Sequence, residues 1–178
     1  MLAYKFLTHG GVAPITGVAW PLPSVAAPGA WLEASGLLAS CSRGLHVCRT
    51  SDLAHWLHDE LWQLETAGEQ LDGVDCLVVR KARLLRRVDA WSNGGAARFA
   101  AASIGHATEV LGDSADASLH GFIDDAKLAA AAGYVAVSAY STALAVAKHL
   151  APTDVHGAYR AERLWQAAWI ERELLTVA

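Results

Sequence analysis

The pattern of the chain changes at residues 91–95, Trp-Ser-Asn-Gly-Gly. Before this point, short segments alternate apolar and polar residues as half-buried strands do, and glycines and prolines separate them. After it the chain is rich in Ala, the residue with the highest helix propensity. Strands followed by helices are typical of the α+β class. We therefore predict a mostly antiparallel sheet in residues 1–90, packed by Ala-rich helices from residues 91–178, in one compact domain.

Local patterns place the individual elements. Asp72-Gly73 is a strong hairpin signal between two strands, and Gly121 and Gly133 are candidate breaks in a long Ala-rich segment. On the last helix, apolar residues recur on one helical face and predict a buried stripe: Ala161, Leu164, Trp165, Ala168 and Trp169. The predicted strands lie near residues 3–8, 44–48, 60–66 and 74–86, and the predicted helices near 52–58, 96–111, 118–150 and 158–175.

Composition restricts the partners of the protein. An apolar fraction of 53% in 178 residues is enough for a sizeable core. Fourteen basic against eighteen acidic residues give a net charge of −4, which argues against nucleic acid as a partner. No apolar run reaches the roughly 18 residues that cross a bilayer, and the first residues lack the pattern of a secretory signal. Three cysteines make no disulfide framework, so we expect a cytoplasmic protein with unpaired thiols.

The candidate site lies in residues 41–65, which contain three of the eight histidines and two of the three cysteines. His46 and Cys48 are two residues apart on a predicted strand, so their side chains share one face. Histidine titrates near neutral pH and suits a general base, which Glu65 or Asp52 would orient. We therefore predict His46 and Glu65 as catalytic residues, with a Cys48–His46 nucleophile pair as the alternative.

A binding pocket is expected where this segment meets the first strand and the loop that follows it. Trp20 and Trp31 flank a Pro-rich stretch, where two large rings can wall a pocket for a flat or apolar small molecule. The candidate ligand-binding residues are Tyr4, Lys5, His9, Trp20, Trp31 and Cys48.

The same segment offers an alternative metal site. Cys41, His46 and Cys48 are possible zinc ligands, because thiolate and imidazole are the groups that zinc prefers. A structural zinc site needs a fourth ligand and favours cysteine pairs at a turn. Cys48 and Cys76 are also typical of small residues buried on neighbouring strands. We therefore predict no metal and no other cofactor.

Tryptophan, cysteine and histidine landmarks run along nearly the whole chain. They are Tyr4-Lys5-Phe6-Leu7, Trp20-Pro21, Cys41, Gly44-Leu45-His46-Val47-Cys48-Arg49, Trp56-Leu57, Asp59-Glu60-Leu61-Trp62, Glu162-Arg163, Trp165-Gln166 and Trp169. This set resembles an uncharacterised family of actinobacterial proteins. The resemblance implies a bacterial cytoplasmic domain of standard length, and it transfers no catalytic residue.

A second resemblance is to folds of the ADP-ribosyltransferase type, which use a basic residue or His, then a hydroxyl, then Glu or Gln on successive strands. The corresponding positions here are Lys5 or His9, Thr50 or Ser51, and Glu65 or Glu69. That resemblance implies a nucleotide site.

Three functions follow from the sequence. The first is a bacterial small-molecule-binding domain, with or without catalytic activity in specialised metabolism. The second is an ADP-ribosyltransferase-like nucleotide-binding domain. The third is a structural or protein-binding module without catalysis that uses the Ala- and Trp-containing helices.

Overall fold

The computed structural model describes residues 1–40 and 42–175, and the chain divides into two compact units at Ser92 and Asn93. The first unit contains one antiparallel sheet of β1 (Leu2–Leu7), β2 (Leu32–Glu33), β3 (Leu45–Val47), β4 (Glu60–Gly73) and β5 (Cys76–Arg87). The second contains α1 (Ala96–Leu111), α2 (Ala117–Ala131), α3 (Val135–Leu150) and α4 (Val155–Ile170). The class is α+β, as the change in sequence pattern predicts.

Strand β5 holds the sheet together. One edge pairs with β4, and the other edge pairs with β3 at Leu77–Val79 and then with β2 at Lys81–Ala82. Strand β1 pairs with the far edge of β4. Tyr4 and Cys48 exchange two backbone hydrogen bonds of 2.9 and 2.7 Å, so the chain after β3 also meets β1. The strand path β1-β4-β5-β3 therefore closes into a ring through this bridge.

The turn between β4 and β5 lies two residues later than Asp72-Gly73 predicts. Both predicted turn residues belong to β4, and Gly73 pairs with Cys76. The turn consists of Val74 and Asp75, and Asp75 has a φ of +53°. Asp tolerates this left-handed conformation better than most residues. The hairpin therefore turns without a glycine at its corner.

Charged side chains hold the strands in register. Glu65 is the register partner of Arg83 and accepts hydrogen bonds from its Nε and Nη2 at 2.8 and 2.6 Å. On the other edge of β5, Glu33 faces Lys81 with 2.9 Å between Oε2 and Nζ. Opposite charges placed directly across neighbouring strands stabilise that pairing.

The segment predicted as a helix at residues 52–58 is a short 3₁₀ helix, Thr50–His55. The Asp52 carboxylate accepts hydrogen bonds from the Arg49 backbone N and Nε at 2.9 and 3.0 Å, which fixes the first turn. The helix ends at Trp56, whose φ of −127° and ψ of 23° are not helical. Leu53 and Ala54 are fully buried, and the 3₁₀ helix contacts β1.

Helix α3 is the centre of the second unit, because its packing against α1, α2 and α4 is the most extensive in that unit. Gly133, with a φ of +81°, separates α2 from α3, whereas Gly121 lies inside α2. The predicted helix 118–150 is therefore two helices. In the described part of the chain, no helix combines the length and apolarity that a membrane crossing needs. Small side chains form the buried face of α3: Ser138, Ala139, Ser141, Thr142, Ala143, Ala145, Val146 and Ala147.

The buried face of α4 differs from the predicted stripe. Of the predicted residues, Leu164 is 53% exposed, and Trp165 and Trp169 are half-buried. The prediction was wrong because it counted apolar side chains alone. The face that is buried lies about 160° around the helix from the predicted stripe, at about 100° per residue. It consists of Glu162, Arg163, Gln166, Ala167 and Ile170.

Hydrogen bonds make this polar face compatible with burial. The Gln166 amide donates to the Ala139 carbonyl at 2.9 Å and to Thr142 Oγ1 at 3.2 Å, and its Oε1 accepts from Arg163. Glu162 Oε2 lies 3.2 Å from His106 Nε2. Burial raises the pKa of Glu162, and the nearby His106 acts against that rise. Buried polar groups are tolerated when they find partners. Helix α3 supplies them for Gln166, and α1 supplies one for an oxygen of Glu162.

Two substitutions on α4 test which face is buried. Ile170→Ala removes a fully buried side chain and should lower the free energy of unfolding by about 2–5 kcal/mol. Leu164→Ala, the matched control on the predicted stripe, should change it by less than about 0.5 kcal/mol. Urea unfolding followed by circular dichroism at 222 nm measures both. Equal losses in the two variants would contradict this packing.

Candidate binding pocket

The first unit contains a pocket of about 590 Å³. Strand β1, the loop after it, and the segment around β3 form its walls. Some of its lining residues are exposed apolar side chains: Ile15 is 80% exposed and Val74 is 72% exposed. The lining residues are Lys5, Phe6, Ala13, Pro14, Ile15, Thr16, Val18, Trp20, Ser42, Gly44, Leu45, His46, Val47, Cys48, Trp56, Val74 and Cys76.

Lys5 brings a charge to this mostly apolar surface. It lies on the face of β1 between Ala3 and Leu7, both of which belong to the sheet core. Its Nζ donates a hydrogen bond of 2.7 Å to the His46 carbonyl oxygen and lies 5.3 Å from the centroid of the Trp20 ring. Burial lowers the pKa of Lys5. The pocket therefore contains an amine that loses its proton more easily than a lysine in water.

His46 and Cys48 are uncharged at neutral pH. Burial lowers the pKa of His46, and the Lys5 charge lowers it further. His46 Nε2 is buried without a hydrogen-bond partner among the residues that the structure describes. Burial raises the pKa of the Cys48 thiol to about 12, against the opposing effect of Lys5. Because the thiolate is the reactive form of cysteine, Cys48 is a poor nucleophile here.

Gly44 sets the position of the β3 wall. Its φ is +130°, and a Cβ at this position would overlap the Val78 side chain on β5. Because glycine has no Cβ, it fits both the positive φ and the close approach to Val78. The chain can therefore enter β3 close against β5, which brings the His46 carbonyl within reach of Lys5.

The structure brings together half of the residues that the sequence singled out. Lys5, Trp20, His46 and Cys48 all line the pocket. They come from β1, the loop after it and the β3 segment, the three parts of the chain that we expected to converge.

The other predicted site residues do not line the pocket. Tyr4 contributes its backbone to the bridge with Cys48. His9 is exposed, 3.9 Å from carboxylate oxygens of Asp59 and Glu60. Trp31 stacks under the Arg83 guanidinium, which lies 4.6 Å from its ring centroid.

Glu65, predicted to orient His46, pairs with Arg83 instead. Thr50 and Ser51 lie in the 3₁₀ helix, and Glu69 pairs with Arg80 at 2.6 Å. The positions that the ADP-ribosyltransferase resemblance assigned to the hydroxyl and the acid therefore do not line the pocket with Lys5.

The zinc alternative involves Cys41, which lies outside the described residues. Within residues 1–40 and 42–175, no group of three or more His, Cys, Asp or Glu residues is arranged to hold a metal ion. Cys48 and Cys76 are buried thiols, and both line the pocket.

Sequence reasoning missed the apolar side of the pocket. The loop residues Ala13 to Val18 line it, as do Trp56 and Val74. Their signal was a run of exposed apolar residues in a loop, because large apolar patches on a surface mark binding sites. The sequence did not reveal that this loop lies near the β4–β5 turn.

No model of a protein family, no curated protein and no solved structure matches this chain. The functional proposal therefore rests on the pocket itself.

The reactivity of Cys48 provides a test of the pocket electrostatics. With a pKa of about 12 instead of 9.0, the thiol carries about a thousandfold less thiolate at pH 8. Alkylation by iodoacetamide should therefore be at least about a thousandfold slower in the native protein than in urea, because burial also limits access. Peptide mapping of Cys48 measures both rates. A native rate within tenfold of the rate in urea would contradict the described environment.

Proposed function

We propose that the first unit binds a small, largely apolar molecule that carries one carbonyl or carboxylate group. The observation that carries this proposal is the half-buried Lys5 amine on the wall of an apolar pocket. Pockets of about 300–1,000 Å³ with mostly apolar linings and a few polar groups are typical of small-molecule sites. The pocket volume, about 590 Å³, lies in the middle of that range.

The surroundings of Lys5 explain why the proposed ligand carries a carbonyl or carboxylate group. An ammonium has three N–H donors, and the His46 carbonyl oxygen accepts one hydrogen bond from it. Burial of a charge costs free energy unless partners compensate for it. A ligand oxygen that accepts a second hydrogen bond would provide that compensation. The rest of the ligand would contact the Trp20 ring and apolar side chains that include Ala13, Val18 and Val47.

The biological setting is part of the same proposal. A cytoplasmic domain of an actinobacterial family, acting in specialised metabolism, is what the sequence resemblance suggests. In a catalytic role, the neutral His46 would be the proton acceptor; its buried Nε2 and lowered pKa support this part of the proposal.

Binding of 1-naphthoate and of 1-naphthylmethanol separates the apolar contribution from the charge. Isothermal titration calorimetry should detect both ligands, with naphthoate bound more tightly. Lys5→Met keeps the apolar stem and removes the charge, and it should weaken naphthoate by about 10–100-fold, the value of one hydrogen bond to a charged group. The same variant should leave naphthylmethanol within about threefold of wild type.

Lys81→Met is the matched control, because it removes the same charge from a surface ion pair with Glu33. It should leave both affinities unchanged. If neither compound binds wild type at millimolar concentration, the proposal is wrong. If Lys5→Met and Lys81→Met weaken naphthoate equally, the selectivity does not come from Lys5.

A further inference from the structure

Lys5 differs from the other lysines in its partners. Lys81 lies 2.9 Å from Glu33 and Lys127 lies 3.0 Å from Asp124, and Lys148 Nζ lies 4.8 Å from the centroid of the Phe122 ring. Among the residues that the structure describes, the charges that act on the pKa of Lys5 come from Cys48 and Cys76, and no carboxylate is among them. Its contacts are the His46 carbonyl oxygen and the Trp20 ring. Within the described part of the chain, Lys5 therefore lacks the carboxylate partner that Lys81 and Lys127 have.

The geometry around Nζ suits a nucleophile. A neutral lysine has two N–H donors and one lone pair. One N–H can remain on the His46 carbonyl oxygen, which fixes the position of the nitrogen and leaves the lone pair available to the pocket. A desolvated lysine in an apolar pocket is the usual form of a lysine that attacks carbonyl carbons.

We propose that Lys5 forms a reversible imine with an aldehyde bound in this pocket. The inference rests on the proposed function and narrows the carbonyl ligand to an aldehyde. The Nζ lone pair forms a bond to the carbonyl carbon, and the C=O π electrons move to oxygen, which takes up a proton. Nitrogen loses a proton. The carbinolamine hydroxyl takes up a second proton and leaves as water while the nitrogen lone pair forms the C=N bond. The product is an uncharged imine or, when protonated, an iminium, and no oxidant or reductant is consumed.

The surroundings of Lys5 favour the neutral amine, which is the form that attacks a carbonyl carbon. Burial is the largest influence on the pKa of Lys5 and lowers it, whereas Cys48 and Cys76 act in the opposite sense. Cys48 has a raised pKa and is protonated at pH 7, so it contributes little opposing charge there. His46 is neutral and adds no charge. A lower pKa means a larger fraction of free amine at pH 7, about tenfold more for each unit.

Reductive trapping tests the inference on the wild-type protein. The protein is treated at pH 7 with 1-naphthaldehyde and cyanoborohydride, which converts an imine to a stable secondary amine. Peptide mapping then gives the rate at each lysine and at the N-terminus. Lys5 should be labelled about tenfold faster or more than Lys81, Lys127 and Lys148, and saturating 1-naphthoate should slow it. In urea the four lysines should react at similar rates.

Lys5→Arg cannot form the imine and should therefore remove the fast phase. Labelling of Lys5 no faster than the surface lysines, in protein that binds naphthoate, overturns the imine and leaves the proposed function intact. Slow labelling together with no naphthoate binding overturns both. Fast labelling that naphthoate does not slow also overturns the inference, because the reaction would then occur outside the pocket.

Discussion

The sheet depends on the requirement that β5 pair on both edges at once. Strand β4 occupies one edge, and β3 and β2 share the other. The stretch of β5 that pairs with β3 is also buried on both faces, and a continuous apolar run is typical of such a stretch. Cys76, Leu77, Val78 and Val79 form this run and are all nearly inaccessible. Because β3 pairs there, the later bridge from Cys48 to Tyr4 can form, and the pocket is built beside that bridge.

The same arrangement explains why a lysine can be buried on β1. Closure of the strand ring places the end of β3 beside β1, so the His46 carbonyl oxygen becomes the partner of Lys5 Nζ. Burial of the amine carries an energetic cost that one hydrogen bond and the Trp20 ring reduce but do not remove. A residue retained at such a cost is typical of a functional site. The hydrogen bond between Lys5 Nζ and the His46 carbonyl oxygen therefore belongs both to the fold and to the pocket.

On α4 of the helical unit, polar side chains are buried while the apolar Leu164 is exposed. Its central helix is lined with small residues, and α4 places Glu162, Arg163 and Gln166 against its neighbours. A rule that assigns burial from apolar character fails there, because Gln166 bonds to Ala139 and Thr142, and one oxygen of Glu162 pairs with His106. No local pattern in the sequence of α4 contains those partners, which lie on α3 and α1.

The sequence by itself determined the α+β class, the boundary at residues 91–95 and the approximate strands, because periodicity and turn residues act locally. It also singled out the segments that supply Lys5, Trp20, His46 and Cys48. Only the tertiary structure decided that Glu65 pairs with Arg83 across the sheet, and that His9 and Trp31 lie away from the pocket. Strand register and burial depend on contacts between residues far apart in the chain, so a local pattern cannot fix them.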